Sequence, residues 1–432
     1  MDDSIFQHPA RIAAVRVDGA KHTRRSFLHS LIYPHLARQP ATFEQVLRAT
    51  RDIGHYLAET DLFHAVTARL EPSGEPSARE GDVEVVFSAR EKGRFFLKTA
   101  TEVGNSEGTA SATGRIRNAF GGAETLEANV AVGTKTRRSF NGAFSAPLSA
   151  TLDTRGELSV FALDRDNSYY NSSTEALRGV KAVVRRGSLP AGQHEIGYEA
   201  VLRHIGSLTP TASISVREAA GHTVKSSIFH SWSLHTRNGT ITGTQGFRAK
   251  LRHEFAGLGG DALFYKVEAE GHAIREVLSG VHLSLSAAGG ILNSLNGPSY
   301  MSDRFQLGGP TSVRMFRANA MGPQDGADYV GGDVFWAAGA SVISNLPGKA
   351  HWPIKTHLFV NAGQLEPLRP STNTFRDNVL ASVSSPSISA GVGLIYTFDP
   401  IRLEINFGVP IAARKSDGFR RGLQAGMGIE FL

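Results

Sequence analysis

The 432-residue chain contains no cysteine. That absence excludes disulfide scaffolds, thiolate zinc sites and cysteine nucleophiles together, and leaves the redox compartment open. Long apolar runs are missing as well. No segment approaches the ~18 uncharged apolar residues that a spanning helix requires, so insertion as a helical bundle is excluded. A barrel is not, because its lipid-facing side chains alternate with lumenal ones. Charged residues make up 20% and the AVILMFWYC set 41%, which excludes a disordered acidic chain. The start, Met1-Asp2-Asp3-Ser4-Ile5-Phe6, has neither the profile of a secretory signal nor that of an Arg-rich transit peptide. Either Met1 follows a trimmed segment or the targeting information is internal.

What is present in surplus is glycine, 46 residues, scattered among short apolar/polar alternations. A usual share is about 7%. The net charge of +6 and a pI near 9.5 modestly favour anionic lipids or acidic partners. No dense basic run exists, so most Lys and Arg are read as lining solvated faces, and no nucleic-acid partner is expected.

Residues 1–91 read as an α+β unit. Arg11 to Gly19 alternates as a strand. Phe27, Leu28, Leu31 and Ile32 follow at helical spacing, with Pro34 as the expected stop. Thr42 and Gln45 form a capping box, and Val46, Leu47, Ala49, Ile53, Tyr56 and Leu57 recur on one helical face. Strands from Phe63 to Leu70 and Asp82 to Arg90 complete the unit, joined by a Pro/Gly/Ser/Glu-rich stretch.

Residues 92–432 carry sixteen alternating segments. They begin near Arg94, Gly108, Leu126, Ser139, Glu157, Glu175, Gln193, Val224, Thr244, Ala262, Val281, Gly332, Lys355, Ser387, Ile401 and Leu423. A soluble sandwich shows the same alternation. The length of the segments, the charges on their second face and their even number favour a closed antiparallel barrel in lipid. One connection breaks the rhythm. Residues 288–331 show no alternation and are rich in Gly, aromatics and Arg, as a functional loop is.

That loop holds Gly308-Gly309-x-x-x-Val313-Arg314-x-Phe316, then Gly322-Pro323, with Gly331-Gly332-Asp333 opening the next segment. The run resembles the signature sixth loop of the outer-membrane assembly superfamily built from POTRA (polypeptide-transport-associated) domains and a barrel. His235-Thr236-Arg237-Asn238 with Thr242-Gly243, and Pro400-Ile401-Arg402-Leu403-Glu404, are similar to further family stretches. One POTRA-like unit, sixteen strands and a long loop between strands eleven and twelve resemble its mitochondrial branch, the barrel core of the sorting and assembly machinery. The resemblance implies an all-β transmembrane barrel of sixteen antiparallel strands with a small N-terminal α+β POTRA-like domain. It also implies that Arg314 is pinned to the barrel wall. Candidate partners for Arg314 are Asn361, standing where the family has aspartate, and Asp333 or Glu404. Met315 stands where many members have glycine.

On the last segment, Gln424-x-Gly426-x-x-Ile429-x-Phe431 resembles the mitochondrial β-signal of barrel precursors, and Gly426 and Gly428 thin its side-chain cover. Few side chains make the seam with the first segment a weak joint. Arg94, Phe96, Lys98 and Ala100 on the first segment are the matching edge. An opened seam offers unpaired backbone groups that an incoming strand satisfies by β-augmentation.

The resemblance therefore implies an insertase, not an enzyme, in the mitochondrial outer membrane. Its POTRA-like unit would face the intermembrane space. Its partners would be barrel precursors with a C-terminal β-signal, membrane lipids and accessory subunits on the cytosolic face. The competing expectation is a polypeptide or metabolite pore plugged by its loop. No HExxH, GxSxG or P-loop occurs, no metal or cofactor is expected, and a lone histidine such as His230 reads as lumenal polarity.

Overall fold

The computed structural model describes the chain except residues 1–5, 38–39, 75, 77, 105–106, 150–151, 237–244, 347, 350–351, 369–383, 399–400 and 429–432. The first unit runs β1 (Arg11–Asp18), α1 (Arg25–Leu36), α2 (Phe43–Glu59), β2 (Phe63–Pro72) and β3 (Asp82–Glu91). β3 is central, parallel to β1 and antiparallel to β2. Thr42 caps α2 by accepting from Gln45 N, while the Gln45 side chain reaches back to Ala41 N, one residue before the cap. Two expectations fail here. α1 continues past Pro34 to Leu36, because a proline in a last turn forfeits only one ladder bond. Leu47 is exposed, and the buried face of α2 is Val46, Thr50, Ile53 and Leu57.

All sixteen expected segments are strands of one sheet. They are β4 (Phe95–Gly104), β5 (Glu107–Arg117), β6 (Thr125–Gly133), β7 (Thr136–Pro147), β8 (Thr154–Asp166), β9 (Thr174–Ser188), β10 (Gly192–Gly206), β11 (Gly221–His235), β12 (Gly246–Gly260), β13 (Phe264–Leu278) and β14 (Val281–Ser294). After the long loop follow β17 (Val334–Asn345), β18 (Ile354–Glu366), β19 (Ser387–Phe398), β20 (Ile401–Ala412) and β21 (Gly422–Gly428). The loop itself holds a two-residue hairpin, β15 (Gln324–Asp325) and β16 (Asp328–Tyr329). A short helix, α3 (Ile214–Glu218), lies between β10 and β11. Each of the sixteen is antiparallel to its neighbours. Their outward side chains are apolar and exposed, among them Leu158, Ile228, Leu358, Val392, Phe407 and Leu423. That outer face suits lipid, and no helix is long and apolar enough to cross a membrane.

Two junctions position the rest. Ala123, in the β5–β6 turn, completes the core of the first unit beside Leu28, Leu31, Ile53 and Phe87. Arg24 N donates to Gly121 O at 2.7 Å, Asn118 Nδ2 donates to Thr23 Oγ1 at 3.0 Å, and Arg24 pairs with Glu124. Gly121 must be glycine there: its φ is +89°, and a Cβ would sit 2.8 Å from His22 O. The second junction is the seam. β4 and β21 come within 8 Å of each other, yet among the described residues no ladder joins them.

Candidate functional site: the pinned loop and the seam

Residues 295–333 turn into the barrel and pack against its wall. Phe305, Leu307, Val313, Phe316 and Met321 are buried against wall residues Ala256, Phe264, Leu292, Ala337 and Leu365. Gly308 and Gly309 sit at φ +106° and +119°, where an L side chain is strained, and a Cβ on Gly308 would lie 2.7 Å from Arg317 O. Gly322, at φ +93°, passes just as closely over Leu365, and Pro323 O accepts from Val330 N.

Arg314 is 1% exposed. Its Nε donates to Glu404 Oε2 at 2.8 Å and its Nη2 to Glu404 Oε1 at 3.1 Å, the bidentate fork that a carboxylate matches best. Nη1 donates to Asn361 Oδ1 at 3.1 Å. The amide on β18 thus supplies an acceptor, and Glu404 on β20 supplies the countercharge that the amide lacks. Glu404 also meets Arg402 and accepts from Asn406 Nδ2. Of the three candidate partners, Glu404 and Asn361 receive the described bonds from Arg314, and Asp333 is engaged elsewhere. It accepts instead from Ser299 Oγ and Leu368 N, which fixes the root of the loop.

The last strand grips the same stretch. Gln424, 4% exposed, accepts from Met315 N at 2.9 Å and donates through Nε2 to Phe316 O at 2.9 Å. One amide so embraces one turn of loop backbone, from the strand that borders the seam. Ser389 Oγ donates to Arg314 O. Met315 itself takes φ +65°, the left-handed conformation that glycine meets without strain. The β20–β21 connection adds Arg317 N to Gly418 O, Arg420 N to Met315 O, and Gly322 N to Asp417 Oδ1. Loop and last hairpin are one hydrogen-bonded body.

Further anchors escaped the sequence reading. Arg203 on β10 pairs with Asp303 at 2.6 Å, both nearly inaccessible, and Lys266 Nζ donates to Asp303 O. No spacing links these residues. At the loop tip, Asp328 accepts from Ser172 N and Ser213 N, and Asp325 accepts from Ser215 N. Hydrogen bonds from the Ser215 backbone and hydroxyl hold the Asp325 carboxyl below its ordinary range. Burial pushes Asp328 up, but bonds from Ser172 and Ser213 outweigh it and leave that carboxyl lowered too.

On the first strand, Phe96, Lys98 and Ala100 share the lumenal face with Arg115, while Phe95 and Leu97 point outward and are 77% and 76% exposed. Arg94 Nη2 donates to Ala119 O, tying the strand to the turn that carries the first unit. Gly426 and Gly428 stand opposite Glu404 and Arg402. Ile429 and Phe431 lie outside the described residues, as does the family stretch from Arg237 to Gly243.

The Omp85 superfamily domain matches residues 118–431, which span every barrel strand from β6 onward and the whole loop. The chain belongs to the Omp85 superfamily. Within it, a SAM50-like protein of Schizosaccharomyces pombe is 34% identical over 98% of this chain and 91% of its own length. The human sorting and assembly machinery component 50 homolog is 30% identical over 90% of the chain and 84% of its own. These identities place the chain in the SAM50-like family of the Omp85 superfamily. Among solved structures, BamA from Haemophilus ducreyi lacking POTRA domains 1–3 superposes with a TM-score of 0.80 at 17% identity, covering 97% of this chain and 85% of that one. That likeness is one of fold. In this Omp85 barrel the Val313-Arg314-Met315-Phe316 segment is the part of the loop that both the wall and the last strand hold.

Proposed function

We propose that this protein folds and inserts β-barrel precursors into the mitochondrial outer membrane, at a lateral gate between β4 and β21. The names of its SAM50-like relatives support the class of activity. The observation that carries the gate is the seam: neighbouring strands pair throughout the sheet, while among the described residues β4 and β21 adjoin without a ladder. Residues 1–91 form a POTRA-like domain in the intermembrane space, residues 92–432 the barrel, and the loop connection opens toward the cytosol, where accessory subunits bind. The precursor's C-terminal β-signal pairs with the exposed edge of β4. Further hairpins add there until the new barrel closes and leaves. Arg314, Gln424 and Glu404 hold the loop against the last hairpin, so that β21 parts from β4 as a braced edge. The chemistry uses no cofactor and no covalent step. An open strand edge in lipid leaves each N–H and C=O unsatisfied at several kcal/mol, and templated pairing removes that penalty.

The cysteine-free chain provides a clean test. A cysteine replacing Lys98 on β4 and one in a precursor's terminal strand form a mixed disulfide during import if the seam is the gate. Crosslinks confined to lumenal positions such as Glu268 refute it and support a conduit.

A further inference from the structure

His230 does not face the lumen. It shares a face with Ile228, which is 46% exposed, and with its ladder partners Ile196 and His253, so its ring lies on the lipid side of the barrel. It is not alone there. His194 Nδ1 and His230 Nε2 are 3.1 Å apart and their rings stack. The His230 ring stacks on that of His253, whose Nδ1 meets Tyr265 Oη at 2.8 Å. Four strands so contribute an imidazole and phenol row to a face whose exposed side chains are mostly aliphatic and aromatic. Polar side chains facing lipid are expensive unless they meet a polar partner.

The end of the row shows what that partner is. Arg186 on β9 is the direct ladder partner of His194 and lies on the same outward face. Its side chain is exposed, and no carboxylate among the described residues pairs with it. The neighbouring Arg185 points inward and is held by Glu157 and Glu195, so the two consecutive arginines are divided between lumen and lipid. Trp232 is the ladder partner of His194 on the other side. Arg186 and His194 each stand two residues inside the β9–β10 turn, which spans Ser188 to Gly192. At about 3.3 Å per residue that is the depth of the headgroups, where tryptophan and arginine collect. In the tautomer in which His230 Nε2–H donates to His194 Nδ1, the His194 proton sits on Nε2 and can be donated to a ligand.

We infer that Arg186, His194 and Trp232 bind the phosphate headgroup of an anionic phospholipid in the leaflet on the N-terminal unit's side. The guanidinium supplies charge, the His194 Nε2–H a second donor, and the His230–His253–Tyr265 row holds the first imidazole in that orientation. The acyl chains follow the apolar face between Val184, Ile196 and Ile228.

The test is native mass spectrometry of the full chain in detergent, titrated with phosphatidylglycerol and separately with phosphatidylcholine. The wild type is expected to retain a tightly held phosphatidylglycerol. Arg186→Gln should lower its occupancy about fivefold, as loss of one interfacial cation does. His194→Phe should lower it less, and Arg186→Lys should keep most of it. Phosphatidylcholine retention should be equal in all. Equal phosphatidylglycerol retention by wild type and Arg186→Gln overturns the inference. So does an equal loss in Arg51→Gln, an exposed arginine of the N-terminal unit, because general charge then accounts for binding. Barrel integrity is read from the same spectra as a single folded charge envelope.

Discussion

Replacing Glu404 by alanine should free the Val313–Phe316 segment, and the size of the effect can be worked from the geometry. The Arg314 side chain is 1% exposed and that of Glu404 0%, so neither charge has water to fall back on when its partner is removed. Breaking a buried pair from one side costs about 3–5 kcal/mol, because an uncompensated charge is left behind. Asn361, which also accepts from the guanidinium, brings no charge. At 1.36 kcal/mol per decade the ratio of docked to undocked loop falls by roughly two to nearly four decades.

Val313 is 1% exposed and gives a reporter position in a chain with no other thiol. With Val313→Cys as background, the rate of maleimide labelling follows the undocked population. Glu404→Ala should raise that rate by two decades or more, up to the rate of a free thiol. The double variant Arg314→Met/Glu404→Leu should restore most of the protection, since an apolar pair replaces a buried ionic one at little cost. Labelling of Glu404→Ala at the wild-type rate refutes the view that this pair pins the loop. Equal labelling of the single and double variants refutes the unpaired charge as the cause.

Gln424→Ala leaves Met315 N–H and Phe316 C=O buried without partners, at about 1–3 kcal/mol each. It should loosen the same reporter and slow precursor assembly in an import assay, while the Gln424→Asn variant, one methylene short, recovers neither bond. Gly363→Ala places a Cβ 2.9 Å from Val313 Cγ2 and 3.2 Å from Trp336 O. Overpacking there should cost roughly 1–3 kcal/mol of loop docking, read as faster labelling with the strands intact by circular dichroism. The loop tip should respond to acid. The Asp325 and Asp328 carboxyls are lowered in the folded state, so their contribution is complete above the ordinary aspartate value near 4 and is lost as pH falls through the lowered values. A spin label at Ala327→Cys should be immobile from pH 7 to 5 and gain mobility below about pH 4, and the Asp328→Asn variant should lose that dependence on one of the two carboxyls.

The strands were legible because alternation along a barrel strand is enforced twice, by lipid outside and by water or the loop inside. Every segment from Arg94 to Leu423 obeys it. Arg314 was legible because its motif is local. Its anchor was open between three residues, since only the fold brings β18 and β20 to the same arginine while Asp333 is turned toward Ser299. Arg203 and Asp303 carry no local pattern at all, being 100 residues apart. The His230 reading failed for a different reason. Polarity alone points to the lumen, but the strand's parity, set by Ile228 and Val224 on the same face, places the ring outside. Pro34 misled because its position in the last turn mattered more than its identity.

The two edges of the seam are braced by different parts of the chain. β4 and β5 are tied through Arg94, Asn118 and Glu124 to the turn on which the first unit rests. β21 is tied through Gln424 to the loop, and the loop through Asp417 and Gly418 to the hairpin that β21 closes. No ladder crosses between the two bodies among the described residues, so parting those residues breaks no strand pairing. Elsewhere in the sheet the same separation would expose a full ladder to lipid, at several kcal/mol for each unpaired group. In the proposed lateral gate, opening is therefore confined to this place by energy rather than by a hinge. It follows that the loop travels with β21: a spin-label pair spanning Gly309 and Gly422 should keep its distance when precursor binds, and one spanning Gly309 and Thr99 should lengthen. A constant second distance with a changing first one contradicts the two-body account.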